Sequence, residues 1–311
     1  MIRKNKHYLR LFIALNGKFS TARKSYQQFD YFCLMRVFKQ LFDFHINASI
    51  HVALAVYALS FITLFQFKVP YDENVLCFIF YASITGYNFV KYFGVAKFHH
   101  RSLANWLKAI QIFSFFCFLL MCYYAWQLKQ NTLLCIGVFG LITFFYAIPF
   151  LPKHFFLDKQ QNLRSVSGLK IYLIALVWSG VTVFLPLINN EYPINWDVIV
   201  TAIQRFVFVV VLMLPFEIRD LAYDSLKLST VPQKIGIAAT KLLGSALLLI
   251  MFFMEFLKDE TSTLRILVLA LVSVVTGWFV VCSKTGRNKY YTAFWVEGLP
   301  VFWLLLWLLM V

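Results

Sequence analysis

Charge is scarce in this chain. Of 311 residues only 14% are Asp, Glu, Lys or Arg, and acids are outnumbered by bases, 14 against 29. Soluble domains carry roughly 25% charged residues, so a single globule of this composition lacks the polar surface to cover itself. Gly (12) and Pro (8) are too few for a fibrous chain, and a 61% hydrophobic content excludes disorder. The cysteines Cys33, Cys77, Cys117, Cys122, Cys135 and Cys282 form no CxxC pair, and five lie in apolar runs. They read as small buried hydrophobes, with no zinc site or disulfide framework expected. The alternating ten-residue segments of a membrane barrel are missing as well. What is left is an all-α, polytopic membrane protein.

A bilayer core of about 30 Å needs roughly 20 predominantly apolar residues per helix. Such runs fall at 47–67, 74–93, 106–127, 131–151, 169–188, 197–216, 236–257, 264–283 and 291–311. Nine spans with short connections predict one transmembrane domain over 47–311, preceded by a basic tail over 1–46. In that tail, residues 31–44 set Phe32, Met35, Phe38, Leu41 and Phe42 at helical spacing with Arg36, Lys39 and Asp43 between. That pattern suits a helix lying in the membrane interface, or equally an extension of the first span. The first 45 residues are too basic and interrupted for the apolar core of a signal peptide.

The net charge of +15 reflects topology, with no nucleic-acid partner expected. The tail and the loops on its side of the membrane hold 24 Lys and Arg; the opposite loops hold four, Lys68, Lys129, Lys258 and Arg265. This bias predicts a cytoplasmic N-terminus and, with nine spans, a C-terminus outside. Basic loops also suit anionic membrane lipids.

The densest charged segment is residues 214–236, LPFEIRDLAYDSLKLSTVPQKIG. Glu217, Asp220 and Asp224, at offsets of zero, three and seven, fall within roughly 60° of one another on a helix face. Three such carboxylates supply hard oxygen ligands without closing a coordination shell, as Mg²⁺ sites that borrow phosphate oxygens do. Lys227 and Lys234 follow as point charges for phosphate. The bland alternative is a solvated helix end, with Glu217 and Asp220 paired locally to Arg219 and Lys227.

This string resembles the second aspartate-rich segment of the UbiA family of intramembrane prenyltransferases. The matching positions are Glu217, Ile218-Arg219-Asp220, Asp224, Lys227, Thr230-Val231-Pro232 and Ile235-Gly236. The family's first segment, Asn-x-x-Asp-x-x-x-Asp, corresponds to Asn88, with Lys91 and Val95 where aspartates are expected. Asn88, Lys91 and Val95 repeat the spacing of Glu217, Asp220 and Asp224 four spans earlier, so both segments face the cytoplasm. The inverted repeats of many secondary transporters would set them on opposite sides.

The resemblance implies a multi-pass protein of the bacterial inner (plasma) membrane that transfers an isoprenoid group from a prenyl diphosphate to a lipophilic acceptor. Glu217, Asp220 and Asp224 would be the catalytic metal ligands for one Mg²⁺. Asn88, Lys91, Lys227, Lys153 and Arg101 would bind the diphosphate. The second reading is a non-catalytic relative that binds a polyprenyl diphosphate or assists a partner membrane enzyme; a transporter is third. Elsewhere, Arg205 lies within a span, with Glu255 as its expected partner. Glu297 in the last span reads as a helix contact. His99-His100, adjacent and so about 100° apart on a helix, fit a headgroup-contacting loop better than a metal pair. The Phe (35), Tyr (16) and Trp (8) residues suit lipid-facing packing and, among them, a lining for a prenyl chain.

Overall fold

The computed structural model describes residues 35–92, 104–147, 168–222 and 229–310. All regular structure among them is helical. The chain divides into two units, 1–47 and 48–311. In the first, α1 runs over Met35–Asn47 and leaves Met35, Phe38 and Leu41 exposed.

In the second unit the described residues form α2 (Ile50–Gln66), α3 (Glu73–Tyr92), α4 (Ala104–Ala125), α5 (Gln130–Ala147) and α6 (Lys170–Asn189). There follow α7 (Trp196–Asp220), α8 (Val231–Phe253), α9 (Thr263–Val281) and α10 (Leu299–Met310). Among the described residues six helical segments are long and apolar enough to cross a membrane: 106–125, 170–189, 196–220, 231–257, 263–281 and 291–310. The 17 residues of α2 fall short alone, and Glu73, Asn74, Asn88 and Lys91 dilute the apolar content of α3.

Neighbour relations close a ring. α2 packs on α6, α6 on α7, α7 on α8 and α9, and α10 returns from α9 to α2. α3 joins this ring through α2, with α4 outside it, and α5 leans on α6. α7 is deeply buried, with Phe208, Val209, Val211 and Leu214 fully enclosed. α4 instead exposes Ile112, Phe115, Phe116 and Tyr123.

Local sequence explains the helix limits. Asn195 caps α7 by accepting the Val198 N–H at 3.1 Å, and Asp197 and Arg219 complement the dipole at its two ends. α7 continues to Asp220, four residues beyond the apolar run, so Glu217 and Asp220 occupy its last turn. α8 starts at Val231 through a Thr230–Gln233 capping box with Pro232 behind it, and breaks at Gly236, whose φ of 81° is open to glycine. Within α6, Pro186 has no N–H to give the Thr182 carbonyl; the Thr63 hydroxyl of α2 donates to it instead, at 2.8 Å. Gly180 lets the Phe139 ring rest on the α6 backbone, where an added Cβ would come within 1.9 Å of it. The last apolar run, expected as one helix over 291–311, opens instead as a π-turn over Tyr291–Val296 before α10.

Candidate functional site

The end of α7 that carries Arg219 holds two of the three expected carboxylates, Glu217 and Asp220. Glu217 is buried, and its Oε2 accepts the Val231 N–H at 3.0 Å, placing a carboxylate at the N-terminus of α8. Asp220 is paired locally. The Arg219 guanidinium grips it through two bonds, Nε to Oδ1 at 2.6 Å and Nη2 to Oδ2 at 2.8 Å. The third arm of Arg219 donates to the Thr292 hydroxyl, tying α7 to the π-turn.

Asn88 and Lys91 come from the last turn and a half of α3. Asn88 is buried; its Nδ2 donates to the Ala48 carbonyl at 3.0 Å and to the Ser114 hydroxyl at 2.8 Å. Both amide hydrogens are therefore spent, and the buried Oδ1 has no partner. In this arrangement Asn88 offers an acceptor, so it suits a cation or a bound water better than the diphosphate oxygen expected from the sequence. Lys91 Nζ donates to the Ser49 hydroxyl at 3.2 Å.

Glu297 lies just beyond the π-turn that Arg219 meets: its backbone N–H donates to the Thr292 carbonyl at 3.0 Å, and its side chain is half-buried. The carboxylates offer hard oxygens, the class that Mg²⁺ prefers, and Asn88 Oδ1 adds a buried one. Among the described residues no three His, Cys, Asp or Glu side chains converge as a metal site. The expected third carboxylate, Asp224, lies outside the described residues, as do Lys227, Lys153, Arg101, Val95 and His99-His100. Sequence reasoning read Glu297 only as a helix contact and did not single out Thr292, Ser49 or Ser114. The one available signal was an acid placed inside an otherwise apolar run at 297.

At the other end of the bundle a second polar cluster differs from expectation. Glu255 does not pair with Arg205. Its Oε2 takes Lys258 Nζ at 2.7 Å and Gln204 Nε2 at 3.1 Å, and its Oε1 takes the Thr261 hydroxyl at 3.3 Å. Lys258 follows three residues after Glu255, close enough to fold back on it. Burial pushes the Lys258 ammonium below its ordinary range, and the Glu255 charge opposes that shift. Arg205 is fully buried; it donates to the Leu59 carbonyl at 2.7 Å and lies 5.1 Å from the centre of the Trp303 ring. Nearby, the exposed Lys129–Glu191 pair, at 2.8 Å, holds the Glu191 carboxyl below its usual value.

No family profile and no curated protein matches the chain. Among solved structures, the chain is similar to one from a study of digeranylgeranylglyceryl phosphate synthase in membranes. The TM-score is 0.55 at 10% identity, over 87% of this chain and 98% of that one. At that identity the likeness is one of fold alone.

Proposed function

We propose that the chain is a UbiA-like prenyltransferase that moves an isoprenoid group from a prenyl diphosphate to a lipophilic acceptor within a bacterial inner membrane. The observation that carries this reading is a chain of contacts between the two motif-like segments: Lys91 of the first bonds Ser49, His51 two residues on meets the Phe294 carbonyl, and Arg219 of the second bonds Thr292 in the same turn. The bundle's likeness to a membrane prenyltransferase supports the same reading.

In such a reaction the bond from the allylic carbon to the diphosphate oxygen breaks, and the diphosphate leaves with the electron pair. The acceptor bonds to that carbon and gives up its proton. Glu217, Asp220 and Asp224 would hold Mg²⁺, which supplies positive charge to the departing diphosphate when bound. Asn88 Oδ1 would accept from a water at the same place. Lys91 would meet the diphosphate directly, with Lys227, Lys153 and Arg101 as further point charges. Aromatic side chains between the helices would keep water from the cationic carbon.

Incubating the purified protein with a radiolabelled prenyl diphosphate, Mg²⁺ and a membrane lipid extract tests this directly. A labelled lipid that forms only with protein and Mg²⁺ is the expected outcome, and its identity names the acceptor. A specific observation favours the second reading, a non-catalytic binder: Arg219 engages both oxygens of Asp220. Retention of the unreacted diphosphate, equal with and without Mg²⁺, would decide for that reading. The orientation has its own test. A cysteine at Asn190 should react with an impermeant thiol reagent from outside the cell, and one at Lys227 only after permeabilisation. Labelling of both from one side would reject the topology.

A further inference from the structure

The four bases expected on the side of the membrane away from the N-terminal tail are matched unequally. Lys129 pairs with Glu191 at 2.8 Å, and the buried Lys258 with Glu255 at 2.7 Å. Lys68 comes only within 3.9 Å of Glu260, and with the two side chains 81% and 78% exposed, water screens the pair. Among the described residues the Arg265 guanidinium donates to two backbone carbonyls, of Glu260 at 2.7 Å and of Gln66, and to no carboxylate. Those bonds fasten the start of α9 to the end of α2 and spend two of its five N–H groups. Lys68 and Arg265, the two bases without a tightly bonded acid, border the same cavity.

That cavity, of about 530 Å³, lies between the end of α2, the start of α9 and the end of α10. Its volume is that of a small-ligand site. Leu64, Phe65 and Trp307 supply apolar walls, and the Phe65 and Trp307 rings stack at 6.5 Å. Trp307 is only 6% exposed, and its indole N–H finds no acceptor among the described residues. A buried donor left in that state costs free energy that a ligand oxygen would return. Glu260 is the single acid in the lining, against Lys68 and Arg265. A cationic mouth, a spare N–H and apolar walls together match a phosphate carried on hydrocarbon chains. The planar Arg265 fork suits phosphate oxygens in particular.

The backbone at Lys68 adds an independent sign. The Val69 N–H closes on the Leu64 carbonyl at 2.9 Å and the Lys68 N–H on that of Phe65 at 3.2 Å, with Lys68 at a φ of 55°. This is the two-bond helix ending in which glycine is the usual residue, because its φ is left-handed. A lysine here is strained, and its attraction to the last carbonyls of α2 is the plain structural account of it. We infer that the cavity binds the phosphate of an anionic phospholipid. Arg265 and Lys68 meet the phosphate oxygens, the Trp307 N–H meets a phosphate or ester oxygen, and the acyl chains lie against Leu64 and Phe65. The site is at the end of the bundle opposite Arg219, and it stands whether or not that end transfers a prenyl group.

The test titrates the full-length protein in detergent micelles with dibromostearoyl phosphatidylglycerol, whose bromines quench tryptophan on contact. The quenching that Trp307→Phe removes reports the cavity, since phenylalanine keeps the stack on Phe65. Its midpoint should lie about tenfold lower than with the zwitterionic phosphatidylcholine of the same chains, and Arg265→Gln should raise it about tenfold. Lys68→Gly should raise it about threefold while the protein melts no lower than wild type, because glycine relieves the left-handed turn. A lysine that only caps α2 would leave the midpoint unmoved. Lys129→Gln, which removes a base at the same end, should not shift it, and neither should millimolar inorganic phosphate. If Arg265→Gln does not fold, Lys68→Gly and Lys68→Glu carry the test, the reversed charge giving the larger shift. Equal midpoints for wild type and the Lys68 and Arg265 variants, or for the two lipids, would overturn the site. Competition by inorganic phosphate at the lipid's own concentration would overturn its assignment to a lipid.

Discussion

Glu255→Gln is expected to destabilise the protein by about 3–5 kcal/mol, the cost seen when one partner of a buried ion pair is removed. Both side chains of the Glu255–Lys258 pair are 2% exposed. The substituted amide can still accept from Gln204 through its oxygen and donate to the Thr261 hydroxyl through its nitrogen, so shape and neutral hydrogen bonds survive while the charge does not. Lys258 then stands unpaired near the buried Arg205, whose charge already acts on it unfavourably. Thermal unfolding in a fixed detergent, followed by the fluorescence of the eight tryptophans, reads the loss. Glu255→Leu combined with Lys258→Met should recover most of it, because a buried pair replaced by apolar groups of similar volume is often neutral. A Glu255→Gln protein as stable as wild type would mean that water reaches this pair and screens it.

Asp220→Asn should reduce prenyl transfer by roughly 10²–10³-fold, the loss typical when one electrostatic contact to a developing charge is deleted. Arg219 makes the experiment discriminating. Were Asp220 only the local partner of Arg219, the damage in Asp220→Asn would come from an unpaired guanidinium. Arg219→Gln in the same chain would then restore function. A carboxylate that holds a metal cannot be rescued in that way, so the double variant should stay as inactive as Asp220→Asn. Transfer rates at saturating prenyl diphosphate across a Mg²⁺ titration separate the outcomes. Rescue by Arg219→Gln would return Asp220 to a structural role.

Much of this architecture was legible because hydropathy is a local property. The limits of α3 and α6 fall within two residues of the apolar runs that announced them. Where prediction and structure part, a contact distant in sequence intervenes. α7 outruns its apolar segment because Glu217 finds the Val231 N–H and Arg219 finds Thr292. The last run opens as a π-turn because His51, some 240 positions earlier in the chain, holds the Phe294 carbonyl. At the site, the carboxylate pattern at 217 and 220 announced itself through spacing on one helix, and Lys91 through its place in a repeated pattern. Glu297 belonged to neither pattern, and no periodicity in its own segment links it to α3 or α7. Arg205 shows the same limit. Its intramembrane position marked it, but the Leu59 carbonyl and the Trp303 ring that receive it are ordinary members of apolar runs.

The uneven burial of the helices has a practical consequence. α7 is locked among its neighbours, whereas α4 offers Ile112, Phe115, Phe116 and Tyr123 outwards, and α5 likewise exposes Leu134 and Leu141. For those two helices the surrounding acyl chains supply the packing that side chains supply to α7. Asn88, through its bond to Ser114 on α4, connects the polar end of α3 to this loosely held flank. Extraction from the bilayer therefore acts on the protein selectively. The choice of detergent replaces the packing partner of α4 and α5 first, and through Ser114 it reaches the amide at Asn88 before it disturbs the carboxylates on α7.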